Sequence, residues 1–412
     1  MTDVQPGQQQ PWLDRDAHDR DAQHRDAQHR DRLARAVLTW IAEPGDAQLG
    51  ALLRQRSPAA VVATLLTGTA AAVAPVIPGL DRAWPRWAAR LGDAPTGVTL
   101  EAWRQDGIRL VCPGDPEWPT QLDALGDERP WGLWVRGQVD LRFACLRSVS
   151  IVGTRAATAY GIHVTAELAA ALAERGWTVV SGGAFGIDSQ AHRGALAAEG
   201  ITVAVLPSGL DVPYPRSHHD LFEAIAVQGA LVSEHPPGRT PTRPGFLVRN
   251  RLIAAFSRGT VLVEAAQRSG ALNTARHARD QNRPLMAVPG PVTSLASAGS
   301  HQVIRDWGAV CVTSVHDVLA CLTFNPGELA DTSRGPVLPR DELNPVSLSV
   351  LEAVPARGGR GPARIAVSAG VDFDTVLRCL GELAAAGFIE RCERGWRIRR
   401  GLARYSPHKA AY

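Results

Sequence analysis

Small and hydroxyl-bearing residues stand at three points of the sequence where a strand would give way to a helix. The first is Gly153-Thr154-Arg155, the second is Ser181-Gly182-Gly183, and the third is Ser269-Gly270, which precedes a helical pattern containing Thr274. Glycine lets the backbone approach a ligand closely, and the first turn of a helix presents N–H groups that bind anions. Three such turns side by side could bind several phosphate groups. Ordinary tight turns have a similar composition, so the spacing leaves that alternative open.

A second set of residues combines aromatic rings with arginine and polar side chains. The set consists of Tyr214, Arg216, His218, Phe246, Arg249 and Asn250. An aromatic ring can stack on a nucleobase, while a planar guanidinium group binds phosphate bidentately. This composition is typical of a groove for single-stranded nucleic acid, and it also occurs in solvated, proline-rich loops.

The motifs of several common enzyme classes are missing from the sequence. The turn after Val152 does not fit GxGxxG, and no GxxxxGK[ST] segment occurs, which disfavours dinucleotide and nucleoside-triphosphate binding. No paired carboxylates, Ser-His-Asp order or cluster of metal ligands stands out. The sequence therefore predicts no catalytic residue, no metal and no cofactor.

Two carboxylates stand next to the candidate turns. Asp188 is at the start of a helical pattern, where a carboxylate can cap the helix. Glu264 ends an apolar segment, and a buried carboxylate needs a partner. Ser269, Thr274 or an arginine could be that partner.

The candidate residues need a scaffold, and the alternation of apolar and helical segments between about 142 and 322 indicates one. The helical patterns lie near 160–175, 188–198, 221–227, 249–256, 271–280 and 301–307. Regular alternation with nearly continuous apolar strands predicts an α/β fold with a doubly wound parallel sheet. Ligands of such folds bind outside the carboxyl ends of the strands, so the candidate residues should meet there.

Length and composition set bounds on the organisation of the chain. A chain of 412 residues is too long for one core, and its net charge of +3 does not by itself indicate a polyanionic partner. Only Lys409 among the 44 basic residues is lysine, so any phosphate contact depends on arginine. Six cysteines without a CxxC pair predict a reduced, cytoplasmic protein. Pro75 and Pro78 interrupt the uncharged run 57–80, which disfavours a membrane span.

The pattern divides the chain into segments of different character. They are a low-complexity tail (1–32), a helical domain (33–100), the sheet domain (101–322, with 101–141 as connector and edge), a linker (323–344), three helices and a hairpin in a winged-helix pattern (345–400), and a basic tail (401–412). In the segment 1–32 an arginine recurs every five residues. This spacing distributes the arginines around a helix and leaves no apolar face. The segment should be disordered or form at most a solvated helix.

Seven motifs of the central segment resemble those of the bacterial DNA-processing protein A family, also called DprA or Smf. They are IVGTR (151–155), SGGAFGIDSQAH (181–192), VLPSGLDVPYP (205–215), LVSEHPPG (231–238), RNRLIAAFS (249–257), VEAAQRSGALNTA (263–275) and AVPGPVTSLASAGSHQVI (287–304). The resemblance covers roughly 100–322. The flanking segments are similar, with weaker motifs, to the SAM-like and winged-helix domains of that family.

The resemblance implies an extended Rossmann-like domain that binds single-stranded DNA, forms a homodimer and loads the RecA recombinase during natural transformation. It implies a binding protein and not an enzyme. It assigns the phosphate contacts to the 153–155 turn, Ser181-Gly182, Arg216 and Arg249-Asn250.

Four positions differ from the usual family pattern. Phe185 stands where many members have arginine, His218 and His301 replace asparagine, and Leu247 replaces proline. One positive charge is therefore missing from the expected groove, and Phe185 and His218 could contact bases instead.

The sequence thus predicts a cytoplasmic, dimeric, single-stranded DNA-binding recombination mediator without a membrane span. One alternative is a nucleotide N-glycosidase (phosphoribohydrolase) on a related fold, although the PGGxGTxxE motif of such enzymes is displaced around Glu264. The other alternative is a duplex-DNA regulator that acts through the winged-helix pattern.

Overall fold

The computed structural model describes residues 11–68, 77–323 and 339–399 of the chain. Contacts divide the chain into two compact units, Met1–Ala330 and Asp331–Tyr412. Most of the predicted linker and the basic tail 401–412 lie outside the described residues. Among the described helices, none combines the length and the apolar composition needed to cross a membrane.

Among the described residues, five α-helices precede the first strand of this unit. They are α1 (Pro11–Ile41), α2 (Ala47–Leu53), α3 (Pro58–Thr67), α4 (Leu80–Ala88) and α5 (Gly97–Gln105). Asp46, Ser57 and Thr96 accept backbone N–H groups at the starts of α2, α3 and α5, which satisfies donors that have no partner inside a helix. Leu38 and Trp84 belong to the small core that these helices share.

Helix α1 includes residues of the segment 1–32, for which the sequence predicts disorder or at most a solvated helix. The helix continues from the packed end at Ile41 back to Pro11, and residues 26–30 are exposed, as in a solvated helix. Adding a turn to an existing helix is easier than nucleating one, which accounts for its extension beyond the core. Arg32 fastens it by donating to the Leu110 carbonyl and pairing with Asp115 at 2.9 Å. The packed part of α1 therefore begins before residue 33.

A nine-stranded sheet forms the centre of the first unit in the described residues. Its strands are β1 (Ile108–Val111), β2 (Leu133–Arg136), β3 (Ser148–Val152), β4 (Thr178–Ser181), β5 (Thr202–Leu206), β6 (Ala230–Ser233), β7 (Thr260–Leu262), β8 (Leu285–Ala287) and β9 (Val310–Cys311). The helices between them are α6 (Leu141–Leu146), α7 (Ala159–Glu174), α8 (Ile187–Ala197), α9 (His219–Gln228), α10 (Arg243–Phe256), α11 (Ala271–Asp280), α12 (Ala298–Trp307) and α13 (Val315–Leu322).

The strand order is β1-β2-β6-β5-β4-β3-β7-β8-β9. Strands β3 to β9 are parallel, which confirms the predicted α/β fold with a large, mainly parallel sheet. Strands β1 and β2 extend one edge in antiparallel pairing beside β6. The chain runs outward from β3 to β6 and then returns to β7 on the other side of β3. This reversal creates a switch point between β3 and β7, where a ligand crevice is expected.

Alternate residues of each strand face opposite layers of helices. In β3, Val152 packs into one core with residues of α10 and α11, while Ile151 packs into another with residues of α7 and α8. Both faces are covered, which explains the nearly continuous apolar strands in the sequence.

A buried ion pair joins α10 to the end of β6. The Arg251 Nη1 and Nη2 groups lie 2.6 and 2.7 Å from the two carboxylate oxygens of Glu234, and Nη2 also donates to the Glu128 carbonyl at 2.7 Å. The Arg251 side chain is 2% exposed and that of Glu234 is 7% exposed. Removal of either charge would leave the other buried without its partner.

His192 on α8 is another fully buried polar group. Its Nδ1 lies 2.7 Å from the Thr202 hydroxyl, which itself donates to the Val179 carbonyl. The ring therefore donates through Nδ1–H, and Nε2 has no partner among the described residues. Burial, with the positive charge of nearby groups, lowers the pKa of His192 to about 3.

The second unit contains three helices and a hairpin in the described residues 339–399. They are α14 (Pro345–Ala353), α15 (Pro362–Ala369), α16 (Phe373–Ala385), β10 (Ile389–Cys392) and β11 (Gly395–Ile398). Val350, Ile365 and Leu380 form part of its own apolar core. Arg360 forms an isolated antiparallel β-bridge with Trp396 of the hairpin.

Glu234→Leu should lower the free energy of unfolding of the first unit by about 3 kcal/mol or more, because it leaves Arg251 buried without its counter-ion. The double variant Glu234→Leu/Arg251→Met should recover most of that loss, since both charges are removed together. Urea unfolding followed by tryptophan fluorescence measures both, because every tryptophan except Trp396 precedes residue 331. Equal stability of the single variant and the wild type would contradict this assignment.

His192 should make the first unit sensitive to acid. Between pH 6.5 and the folded-state pKa of about 3, the unfolded chain binds a proton that the folded chain does not, so stability falls as the pH falls through this range. In His192→Leu this contribution is missing. The stability difference between wild type and variant should therefore drop by about 2 kcal/mol between pH 6.5 and pH 5 in urea unfolding. A difference that stays constant with pH would contradict a buried neutral imidazole.

Candidate functional site

A cavity of about 470 Å³ lies at the switch point, beside the carboxyl end of β3. It is bounded by the turn after β3, the start of α8, one side of α10 and the start of α11. We call it the switch-point cavity. Nine predicted site residues line it: Gly153, Thr154, Arg155, Phe246, Arg249, Asn250, Ser269, Gly270 and Thr274. Ser181, Gly182, Gly183, Tyr214, Arg216 and His218 do not line it.

The turn after β3 is held by backbone hydrogen bonds on both sides. The Thr154 N–H donates to the Glu264 carbonyl at 2.7 Å, and the Ile187 N–H donates to the Thr154 carbonyl at 3.2 Å. The Ala156 N–H donates to the Thr154 hydroxyl at 3.3 Å. The expectation that the backbone N–H groups of this turn are available for phosphate is therefore wrong for Thr154. The available cationic group of the turn is the exposed side chain of Arg155.

Ser181 serves the sheet and not the cavity. Its hydroxyl is fully buried and donates to the Ile151 carbonyl of β3 at 2.6 Å. The predicted phosphate contact through this hydroxyl is thus not available, because the neighbouring strand already occupies it. Gly182 lies against α10, where an added Cβ would be 2.5 Å from Arg249 Nη1.

Arg249 forms the floor of the cavity and is only 6% exposed. Its Nη1 donates to the Gly182 carbonyl at 2.7 Å and to the Val205 carbonyl. The buried Nε has no partner among the described residues. Burial lowers the pKa of Arg249 to about 10, which leaves the group positively charged at neutral pH. Arg249 is therefore a fixed cation below the cavity and not the mobile surface arginine that a groove motif indicates.

Asp188 lies next to this cation. An added Cβ on Gly182 would be 2.7 Å from its Oδ2, and the carboxylate also lines the cavity. Burial raises the pKa of Asp188, while the Arg249 charge and backbone hydrogen bonds of Ala184, Gly153 and Gly182 oppose that rise. No side-chain hydrogen bond caps α8, and the Asp188 carboxylate instead occupies backbone donors around the turn. Asp188 stands at the second position of α8, directly after the glycine-rich turn. This place in the sequence is the signal from which its role at the turn could have been predicted.

Two aromatic rings lie on one side of the cavity, and one of them, Phe246, lines it. The Arg155 guanidinium lies 5.1 Å from the Phe246 ring centroid, and the half-exposed Tyr214 packs edge-on against Phe246 at 5.7 Å. Arg216 is exposed in a short 3-10 helix (Arg216–His218). Tyr214, Phe246 and Arg155 therefore form one continuous surface.

His218 has a supporting position. It is buried, its Nδ1 lies 3.1 Å from the Gly183 carbonyl, and its ring packs at 4.6 Å against Phe185. A direct base contact by His218 is not what this geometry favours, because the exposed ring of the pair belongs to Phe185. In the sequence, Phe185 departs from the family pattern and could contact a base, although it is not among the predicted site residues.

Polar side chains of α10 and α11 complete the wall. Asn250 Nδ2 donates to Asn273 Oδ1 at 3.1 Å, and the Ser269 hydroxyl accepts the Ala271 N–H at 3.3 Å. Thr274 is buried on α11. The Asn250–Asn273 bond joins α10 to α11, and Ser269 and Thr274 add polar groups to the lining of the cavity.

Glu264 has a structural partner that differs from those expected. Its carboxylate accepts the Thr158 N–H at 3.0 Å and the Thr158 hydroxyl at 2.6 Å, and it is 2% exposed. Ser269, Thr274 and arginine are not its hydrogen-bond partners. The carboxylate therefore orders the start of α7. Within the described residues, no group of three or more His, Cys, Asp or Glu side chains is placed to hold a metal ion.

Comparison with known proteins identifies the family. The family model described as DNA recombination-mediator protein A matches residues 109–323. A Mycobacterium tuberculosis protein (strain H37Rv), provisionally named DNA processing protein DprA, is 44% identical over 388 residues, which are 92% of this chain and 97% of the relative. Protein Smf of Escherichia coli K12 is 37% identical over 303 residues, 72% of this chain and 80% of the relative.

A solved structure supports the same family assignment. The X-ray structure of DNA processing protein A from Streptococcus pneumoniae superimposes with a TM-score of 0.58 at 28% identity, covering 72% of this chain and 99% of that chain. The family model matches more than half of the present chain, and a relative aligns along almost all of it. The protein therefore belongs to the DNA recombination-mediator protein A family.

Proposed function

We propose that the protein binds single-stranded DNA at the switch-point cavity and acts in DNA recombination. The observation that carries the proposal is the pairing of two cations on one cavity, the exposed Arg155 at its rim and the buried Arg249 at its floor. Family membership supports the same role. A DNA phosphate at the rim would contact Arg155 without having to displace a carboxylate, since the described contact of Arg155 is the Phe246 ring. The charge of Arg249 would act on the phosphate from below the cavity floor.

Each part of the site contributes differently to this proposal. Arg155 binds a phosphate bidentately, and Arg216 extends the positive rim beyond the cavity. Tyr214 and Phe246 offer rings on which bases stack, with each stacked base contributing about 1–3 kcal/mol. The site contacts features that every DNA strand shares, namely its phosphates and the faces of its bases. Binding should therefore have little sequence preference.

We propose that this activity is binding without catalysis. The N-glycosidase alternative needs a catalytic carboxylate, and Glu264 is buried with its oxygens bound to Thr158. Asp188 is likewise buried beside Arg249. No observation on the described residues favours the enzyme.

The finer parts of the proposal concern partners and domains. As a recombination mediator, the protein would protect single-stranded DNA and load the RecA recombinase in the cytoplasm. It would act as a homodimer, with α12 and β9 as the proposed contact. We assign the helices before β1 as a SAM-like domain. The three helices and hairpin of the second unit are assigned as a winged helix.

Arg155→Ala should weaken binding to a fluorescent dT oligonucleotide by roughly 10- to 100-fold in anisotropy titrations, because a charge-assisted phosphate contact is removed. The slope of log affinity against log salt should also become shallower by about 0.7, the value for one phosphate of a single strand. Arg142→Ala is the matched control, since Arg142 is also an exposed arginine but lies on α6, at the amino end of β3. Equal effects of the two substitutions would show that the DNA site does not lie at the cavity.

A chain ending at residue 330 should retain most of its affinity for single strands, because the switch-point cavity lies within the first compact unit. A duplex-DNA regulator would instead lose its binding with the second unit. Titration of both chains with dT and with a matched duplex separates the two functions. Loss of duplex and single-strand binding together, in a truncated chain with an unchanged circular dichroism spectrum, would favour the regulator.

A further inference from the structure

Three rings form a column from the core to the surface beside the switch-point cavity. Phe222 is fully buried, His218 packs on it at 6.0 Å, and Phe185 packs on His218 at 4.6 Å with an interplanar angle of 67°. Phe185 is 46% exposed. Its chain neighbour Ala184 lines the cavity, and an added Cβ on Gly186 would be 2.6 Å from the Arg155 carbonyl oxygen, so the loop that carries Phe185 borders the cavity and the 153–155 turn.

The loop that carries Phe185 is held in one conformation. Gly183 has φ +66°, and an added Cβ there would be 2.7 Å from the Phe222 ring. Gly186, on the other side, has φ +74°. His218 is fixed behind the ring by its contact with the Gly183 carbonyl at 3.1 Å. The Phe185 ring is therefore presented on a rigid support.

A half-exposed phenyl ring contributes little to the core, yet here it is supported by the buried His218 ring, which itself packs on Phe222. A free ring face near a phosphate-binding rim has the geometry needed to stack on a base, and pre-ordering lowers the entropy lost on binding. Neither His218 nor Phe222 can take that role, because both are buried.

We propose that Phe185 is a base-stacking residue for one nucleobase of the strand whose phosphate binds Arg155. This inference rests on the proposed function and adds a contact of a different kind to it. The ring carries no charge, so its contribution to affinity is nearly independent of salt. An arginine at this position would instead add one salt-dependent phosphate contact.

The test compares oligonucleotides with and without bases. A labelled dT oligonucleotide and a deoxyribose-phosphate oligomer of the same length without bases are titrated at several salt concentrations. Phe185→Ala should weaken dT binding by about 5- to 150-fold without changing the salt slope. It should leave binding to the base-free oligomer unchanged. Phe185→Leu, which keeps an apolar side chain without an aromatic face, should behave like Phe185→Ala.

Two further variants make the result specific. Phe185→Arg should steepen the salt slope by about 0.7, as one phosphate contact is gained. Phe143→Ala is the control, since Phe143 is 70% exposed on α6 and should have no effect. Equal losses by Phe185→Ala on both oligomers, or no loss on dT, would overturn the stacking role. If Arg155→Ala still weakens binding in that case, the proposed function stands and only this inference fails.

Discussion

The buried guanidinium groups of α10 are the constraint on which the site depends. Arg249 bonds to carbonyl groups at the ends of β4 and β5, and Arg251 pairs with Glu234 after β6. A buried arginine is costly unless its donors are satisfied, so these contacts have strict geometric requirements. They fasten one helix to three successive strands at their carboxyl ends. The position of the cavity floor relative to the sheet follows from these bonds.

This arrangement separates two tasks that a basic sequence motif does not distinguish. Arg249 supplies a fixed charge inside the protein, whereas Arg155 is exposed at the rim. Asp188 limits the net positive charge next to Arg249 and occupies backbone donors of the glycine-rich turns. The cavity is thus a moderately positive site with a rigid base. Its rim carries the groups that can adapt to a ligand.

Much of the fold could be predicted because its signals are local. The apolar segments that alternate with the predicted helical patterns correspond to β3 to β8, and the pattern at 271–280 is α11. Helix α10 begins at Arg243, six residues before the predicted helical pattern, because Thr242 caps it and Pro244 is accepted in its first turn. The strand order and the two antiparallel edge strands depend on distant pairings such as Trp134 with Ser233, which no local pattern contains.

The site was predictable in location but not in the role of each residue. The glycine-rich turns indicated the carboxyl edge of the sheet, and nine of the candidate residues line the cavity there. The sequence could not reveal that the Ser181 hydroxyl bonds to β3, or that Glu264 bonds to Thr158 more than 100 residues away. Residue type shows what a group can bind. Its partners are set by the tertiary structure.

The two edges of the sheet differ in their accessibility to another chain. At the β1 edge, Arg32 of α1 already binds the Leu110 carbonyl. At the other edge, both residues of β9 are exposed among the described residues. Strands with open edges can pair with strands of other molecules. Of the two edges of the described sheet, the β9 edge is therefore the more accessible to strand pairing with another molecule.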